Sequence, residues 1–170
     1  MRRKIAQKLL NNYVLDTLKI DYALYRLLSC FLTSPAIARM VAKEGYDHYA
    51  FQQLIDEHEE KEILDSLIYS AASLRIADDL KQIRRPRMND EVGQITMSRV
   101  SRPLSLREAC NKIIHAQRLQ YDIGENDDGD YYIEEYLKPT IRLFGKNQRG
   151  KRWRVRIDIR KYVESAHRAL

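Results

Sequence analysis

The chain has 170 residues, a net charge of +6, and 44% hydrophobic and 32% charged residues. This composition is typical of a soluble globular protein and excludes a disordered one. The length suffices for one domain with a sizeable core and is short for two, so we expect residues 1–170 to form a single domain. The positive charge agrees with a polyanionic partner, although many basic proteins bind no nucleic acid.

Helical periodicity over residues 1–83 predicts an N-terminal helical bundle. An amphipathic helix with a basic face is expected over residues 4–14. The next helix carries a core-facing apolar stripe at Ile20, Leu24, Leu27, Leu28 and Phe31. Ser34 followed by a proline predicts a new helix start, and Gly45 predicts the end of this short helix over residues 36–44.

The rest of the bundle contains a charged cluster and a long apolar segment. The cluster HEEKE at residues 58–62 lacks the second histidine that a zinc site on a helix needs, so it indicates a solvated charged turn. Residues 62–83 have apolar side chains around much of the helix circumference, which predicts the central buried helix.

A basic segment, residues 84–104, lies between the bundle and a helix expected at residues 105–117. It contains five arginines and is interrupted by Pro86, Gly93 and Pro103. These features predict a connector without regular structure, ordered only with a partner.

The segment SLREACNKIIHA predicts a short helix that begins with a capping box formed by Ser105 and Glu108. Arg107, Asn111 and His115 follow one another at intervals of four residues, so they form one polar stripe. The opposite side carries residues typical of a core-facing surface, namely Leu106, Ala109, Cys110, Ile113 and Ile114. Periodicity alone favours a solvated polar surface for the stripe.

After residue 117 the hydrophobic period changes from about 3.6 to 2. The segment 118–170 therefore predicts a β-hairpin region and a terminal helix over residues 160–169. Its small antiparallel sheet is expected to comprise residues 118–123, 140–145 and 151–159. The chain as a whole is predicted to be mainly α, of the α+β class, with a small C-terminal sheet.

The predicted hairpin is strongly basic. Four arginines are candidates for binding a nucleic-acid backbone: Arg142, Arg152, Arg154 and Arg156. An exposed sheet kept soluble by charge explains the same pattern, and the two interpretations are about equally favoured. Trp153 shares the apolar face of its strand and is expected in the core.

The segment LREACNKIIHA resembles the signature helix of the HEPN superfamily, a group of small helical domains. Asn111 and His115 match the asparagine-to-histidine part of that signature, and Arg107 is the nearest upstream arginine. The resemblance implies a homodimer whose two signature helices face each other across a basic cleft, which in active members cuts RNA without a metal. It also implies that Arg107 holds the phosphate, His115 transfers a proton and Asn111 orients either group.

Three functions follow from the sequence. The preferred one is an RNA-directed HEPN-like domain, either a weak metal-independent ribonuclease or a toxin–antitoxin or defence component with an antitoxin-like protein partner. A second is a non-catalytic homodimeric interaction protein, and a third is a nucleic-acid binder that uses the basic hairpin. The histidines and cysteines lack zinc spacing, so no metal and no other cofactor is expected.

The cysteines and the apolar runs indicate the cellular location. Cys30 and Cys110 fall in apolar helix faces, which indicates buried free thiols and a reducing compartment. The longest apolar run, residues 27–32, is too short to span a bilayer. No apolar core of a secretory signal follows the first residues. We expect a cytoplasmic protein with no membrane partner.

Overall fold

A layer of helices packs on one face of a five-stranded antiparallel sheet in the computed structural model, which describes residues 15–44, 49–125 and 135–170. The helices are α1 (Thr17–Glu44), α2 (Tyr49–Asp79), α3 (Leu106–Ile114) and α4 (Ile159–Ala169). The strands are β1 (Glu91–Met97), β2 (Val100–Ser105), β3 (Arg118–Glu125), β4 (Glu135–Lys146) and β5 (Arg152–Asp158). The chain is thus of the mixed α and β class, and its sheet has five strands where a small sheet of three was predicted.

Helices α1 and α2 pack against each other through the stripes that the sequence predicts. Ile20, Leu24 and Phe31 of α1 are buried, as are Ile63 and Leu67 of α2. Burial of such apolar side chains is the dominant favourable contribution to folding. The predicted helix over residues 4–14 lies outside the described residues.

Both long helices continue through sites where the sequence predicts a break. Pro35 lies inside α1, and the hydroxyl of Ser34 accepts a hydrogen bond from the Leu137 backbone N–H at 2.9 Å instead of capping a new helix. The cluster at residues 58–62 is helical too, and its Glu62 pairs with Arg26 of α1. The predicted helix start at Ser34 and the predicted turn at 58–62 were wrong because contacts between elements outweigh local propensity. The cluster is largely solvent-exposed, as expected. The predicted buried helix over 62–83 is part of α2, which ends at Asp79.

The predicted hairpin is present as β4 and β5. Its turn is closed by Asn147, whose Oδ1 accepts the backbone N–H groups of Arg149 and Lys151, and by Gly150 at φ +73°. Trp153 is 3% exposed and faces the helices, as expected. A Cβ on Gly145 would collide with its indole, so only glycine fits opposite the tryptophan in β4.

The predicted connector over residues 84–104 is structured, and this prediction was wrong. It contains a short 3₁₀ helix (Arg85–Asn89) followed by β1 and β2, which form a hairpin. The two turn residues, Ser98 and Arg99, both have positive φ, as a tight hairpin turn requires. Pro103 is tolerated because β2 is an edge strand, which has a neighbouring strand on one side only and therefore needs fewer backbone N–H donors.

The sheet order is β2-β1-β5-β4-β3, so the basic strand β5 lies in the centre. Val155 and Ile157 of β5 are completely buried under the helical layer. Asp158 then caps α4, since its Oδ1 accepts the backbone N–H groups of Arg160 and Lys161. Among the described residues, no helix has the length and apolar character that crossing a bilayer demands.

Candidate nucleic-acid interface

The sheet has one face turned away from the helices, which we call the open face. Arg152, Arg154 and Arg156 of β5 project from it, because they alternate with the buried residues of the same strand. All three are exposed, and no described helix covers them. Antiparallel sheets often have one solvated face, and here that face carries three arginines on the central strand.

Two rows of side chains cross the open face, because the strands are in antiparallel register. The Arg154 row comprises Ser101, Thr96, Arg154, Phe144 and Arg118. The Arg156 row comprises Pro103, Gln94, Arg156, Arg142 and Gln120. The first row therefore places hydroxyl groups beside an arginine, and the second places two arginines directly opposite each other.

Asp122 compensates for the like charges of Arg142 and Arg156. Its Oδ1 lies 2.7 Å from Nη2 of Arg142, and its Oδ2 lies 3.6 Å from Nε of Arg156. The carboxylate reaches the open face because Asp122 lies two residues after Gln120, so the two side chains project from the same side of β3. The Asp122 side chain is only 9% exposed, so the arginines shield it from water.

A depression of about 340 Å³ lies between the two rows, and we call it the Arg154 depression. It is lined by Gln94, Thr96, Ser101, Arg142, Arg154 and Arg156. The hydroxyls of Thr96 and Ser101 are hydrogen-bonded to each other at 2.8 Å. Within the described part of the chain, Arg154 forms no ion pair, so its guanidinium is available to an anion.

An aromatic ring also lies on the open face. Phe144 is half-buried, and the Arg118 guanidinium carbon lies 5.6 Å from its ring centroid. Trp153 is on the opposite side of the sheet, where the Nζ of Lys112 lies 4.6 Å from its ring centroid. Phe144, rather than the tryptophan, is therefore the aromatic group accessible to a ligand on the open face.

The polar stripe of α3 contacts α2. Arg107 forms ion pairs with Asp78 and Asp79, the second at 3.1 Å. Asn111 accepts a hydrogen bond through Oδ1 from Nε of Arg75 at 2.7 Å. Periodicity alone favoured a solvated surface for this stripe, whereas two of its three residues pack against a neighbouring helix.

His115 is the third residue of the stripe, and it lies just beyond α3. It is exposed, and its backbone N–H donates to the carbonyl of Asn111 at 3.2 Å. Arg107 and Asn111 of α3 therefore both contact α2, whereas His115 lies at the exposed C-terminal end of α3. Their catalytic assignment and the homodimer stay predictions.

The local features predicted for α3 are confirmed in part. Ser105 Oγ accepts the Glu108 backbone N–H at 3.3 Å, which is one half of the predicted capping box. The Glu108 carboxylate, expected to bind the Ser105 backbone N–H, pairs instead with Arg102 at 2.7 Å. Leu106, Ala109 and Cys110 are completely buried, and Ile113 is 5% exposed. Ile114, predicted on the same face, is 40% exposed.

The sequence patterns do not single out three residues of the open face: Gln94, Thr96 and Ser101. The first two alternate with the buried Ile95, a period-2 signal hidden inside the segment interpreted as a connector. Asp122 lies two residues after Gln120 in the predicted strand 118–123, which places it on the polar face, but nothing local indicates that Arg142 and Arg156 come to lie beside it.

The described residues contain no group of three histidine, cysteine, aspartate or glutamate side chains placed to hold a metal ion. Comparison of the chain with protein-family models, with curated proteins and with solved structures finds no match.

Proposed function

We propose that the protein binds nucleic acid through the open face. The observation that carries this proposal is the projection of Arg152, Arg154 and Arg156 from the central strand toward solvent. Alternate residues of a strand lie about 6.6 Å apart, so the three guanidiniums can follow successive phosphates of an extended strand. Each guanidinium can bind a phosphate through two parallel N–H donors.

The charge balance of the open face supports an anionic ligand. The register places six basic residues on it, namely Arg118, Arg142, Lys146, Arg152, Arg154 and Arg156. Asp122 partly neutralises two of them. A surface with this excess of cations binds polyanions by releasing their counterions, which makes binding strongly dependent on salt.

Phe144 and Arg118 favour a single strand over a duplex. An aromatic ring and a stacked guanidinium provide a flat surface on which an unpaired base can stack, whereas the bases of a duplex are already stacked. A sheet face with stacking groups and cations is a common platform for single-stranded ligands.

Fluorescence anisotropy with a labelled single-stranded RNA, the DNA of the same sequence and the duplex tests the proposal. The double variant Arg152→Ala with Arg154→Ala should weaken binding at least tenfold. It should also reduce the slope of log K against log salt by about 1.4, since each lost phosphate contact removes about 0.7.

A double variant of equal charge provides the control. Lys161→Ala with Arg168→Ala removes two positive charges from α4, which belongs to the other layer, and should leave both quantities nearly unchanged. Circular dichroism verifies that both variants are folded. Absence of binding by the parent protein, or equal weakening in the two variants, would contradict the proposal.

A second candidate is the metal-independent ribonuclease that the HEPN resemblance implies. The exposed side chain of His115 favours it, because this residue lies three positions before Arg118, the first residue of β3 on the open face. An RNA bound there would pass close to an imidazole, the side chain that most often acts as a general acid or base. Arg107 and Asn111 support the ribonuclease candidate less directly, because both are bound to residues of α2.

A further inference from the structure

We propose that the Arg154 depression binds the terminal phosphate of a nucleic acid, that is, a phosphomonoester at a strand end. This inference rests on the proposed function and specifies its ligand. It follows from three features of the depression: an unpaired guanidinium beside two hydroxyl groups, flanking arginines held in place, and an excess of two positive charges.

The first feature is the position of Arg154 beside two hydroxyls. Thr96 lies directly opposite Arg154 in the register, and Ser101 lies opposite Thr96. Of the two hydroxyls, 2.8 Å apart, one donates to the other and the second keeps its proton free. A bound phosphate oxygen can thus accept from a hydroxyl and from the guanidinium together.

The second feature is the fixed position of the flanking cations. Arg142 and Arg156 are both held by Asp122, so their guanidiniums are oriented before a ligand arrives. Side chains that are ordered in advance lose less conformational entropy on binding. Arg154 has no ion pair in the described part of the chain, so its donors remain available to the ligand.

The third feature is the charge of the depression. Three arginines line it, and the one carboxylate of Asp122 leaves an excess of two positive charges. A phosphodiester within a strand carries one negative charge, whereas a terminal phosphate approaches two above its second pKa of about 6. A terminal phosphate also offers three free oxygens to the surrounding donors, so it satisfies more of them than a diester does.

The size of the depression agrees with this ligand. A volume of about 340 Å³ accommodates a phosphate group with its attached sugar. The rest of the strand would then extend along Arg152 and past Phe144, which lie outside the lining of the depression.

Three oligonucleotides of one sequence test the inference: one with a 5′-phosphate, one with a 3′-phosphate and one with hydroxyls at both ends. Anisotropy at pH 7.5 should show about tenfold tighter binding of one phosphorylated form, the gain expected from one or two charge-assisted hydrogen bonds. At pH 5.2, where the terminal phosphate carries close to one charge, the preference should shrink to about twofold.

Variants of the lining residues test whether the preference for a phosphorylated end arises in the Arg154 depression. Arg154→Ala and Thr96→Val should abolish the preference for the phosphorylated end, and Arg154→Lys should reduce it because an ammonium lacks the two parallel donors. Arg152→Ala is the matched control on the same strand but outside the depression. It should weaken binding of all three oligonucleotides equally and leave their ratio intact.

The outcomes separate this inference from the proposed function. Equal binding of the three oligonucleotides by the parent protein overturns the inference but not the proposed function. A preference that persists in Arg154→Ala also overturns it. If the parent protein binds none of them, the inference and the proposed function fail together.

Discussion

The carboxylate of Asp122 lies 2.7 Å from the guanidinium of Arg142, on a sheet face that otherwise carries cations. The same carboxylate approaches Arg156, which stands directly opposite Arg142 in the register. Like charges in directly opposite positions destabilise a sheet. Asp122 therefore stabilises the fold and lowers the charge available to a ligand.

Replacement of Asp122 by asparagine should change binding and stability in opposite directions. Asp122→Asn removes a negative charge from the open face but keeps an oxygen that can accept from Arg142, so we expect single-stranded RNA to bind about three- to tenfold more tightly at low salt. The free energy of unfolding should fall by about 1 kcal/mol, because Arg142 is partly exposed and water screens the lost ion pair.

Glu164→Gln provides the control, since it makes the same change of net charge on α4, in the other layer. Anisotropy measures binding, and urea titration measures stability. An equal gain of affinity in both variants would mean that net charge, and not the open face, determines binding.

Asp78 should be the most important charged residue for stability. Its side chain is 2% exposed and pairs with Arg107 of α3, with Arg75 at 3.3 Å and with Arg85 at 3.8 Å. Asp78→Asn should lower the free energy of unfolding by about 3 kcal/mol, because it breaks a buried ion pair.

The neighbouring Asp79 is the matched control for this prediction. It is 55% exposed and also pairs with Arg75 and Arg107, so Asp79→Asn should cost less than about 1 kcal/mol. Urea unfolding followed by circular dichroism provides both values. Equal losses in the two variants would show that burial of Asp78 is not what makes its ion pairs important.

The HEPN-like assignment predicts RNA cleavage in the presence of EDTA, and this cleavage should depend on His115. His115→Ala should reduce the rate at least about a hundredfold, the usual contribution of a general acid or base. Because His115 is exposed, this variant should remain folded. If the RNA stays intact after incubation with the parent protein, the HEPN-like assignment is contradicted, whereas the binding proposal is unaffected.

Arg107→Ala is a less direct test of the same assignment. Arg107 forms ion pairs with two α2 carboxylates, so the variant loses contacts between helices as well as any catalytic cation. Its cleavage rate should be compared with that of Asp79→Asn, which loses one of these ion pairs but keeps Arg107. A rate lost equally in both variants would indicate a structural effect.

The two cysteines should differ in reactivity toward a thiol reagent such as DTNB. Burial raises the pKa of Cys110 to about 12. Burial, followed by the nearby charge of Glu59, also raises the pKa of the half-buried Cys30. Since the thiolate is the reactive form, Cys30 should react slowly at pH 8 and Cys110 only on unfolding. Rapid modification of both thiols in the folded protein would contradict this expectation.

Alkaline pH should destabilise the fold. Burial also raises the pKa of Tyr162, which lies next to Cys110. Above about pH 8.5 the unfolded chain ionises its cysteines while the folded chain keeps the Cys110 proton, so unfolding releases a proton. The free energy of unfolding should therefore fall by up to about 1.4 kcal/mol per pH unit for each such group.

Urea titrations between pH 8 and pH 10.5 measure this slope. Cys110→Ala should flatten it, because the variant has no thiol to ionise at that position. An unchanged slope in Cys110→Ala would exclude Cys110 as a cause of the alkaline loss.

Features that depend on residues close in sequence were predictable. Trp153, Val155 and Ile157 alternate with arginines, and this local pattern alone separates the buried face of β5 from its open face. The N-cap at Ser105 was equally accessible, since it depends only on the four residues from Ser105 to Glu108. The sequence thus determined the hairpin, α3, α4 and the basic character of the open face.

The composition of the site was decided by the tertiary structure. Thr96 and Arg154 are separated by 57 residues and become neighbours only because β1 pairs with β5. The β1–β2 hairpin lacks the usual turn glycine and contains Pro103, so it resembles a loop until the sheet order places β2 at an edge. Strand order and register depend on which surfaces are buried together, and no local pattern encodes that choice.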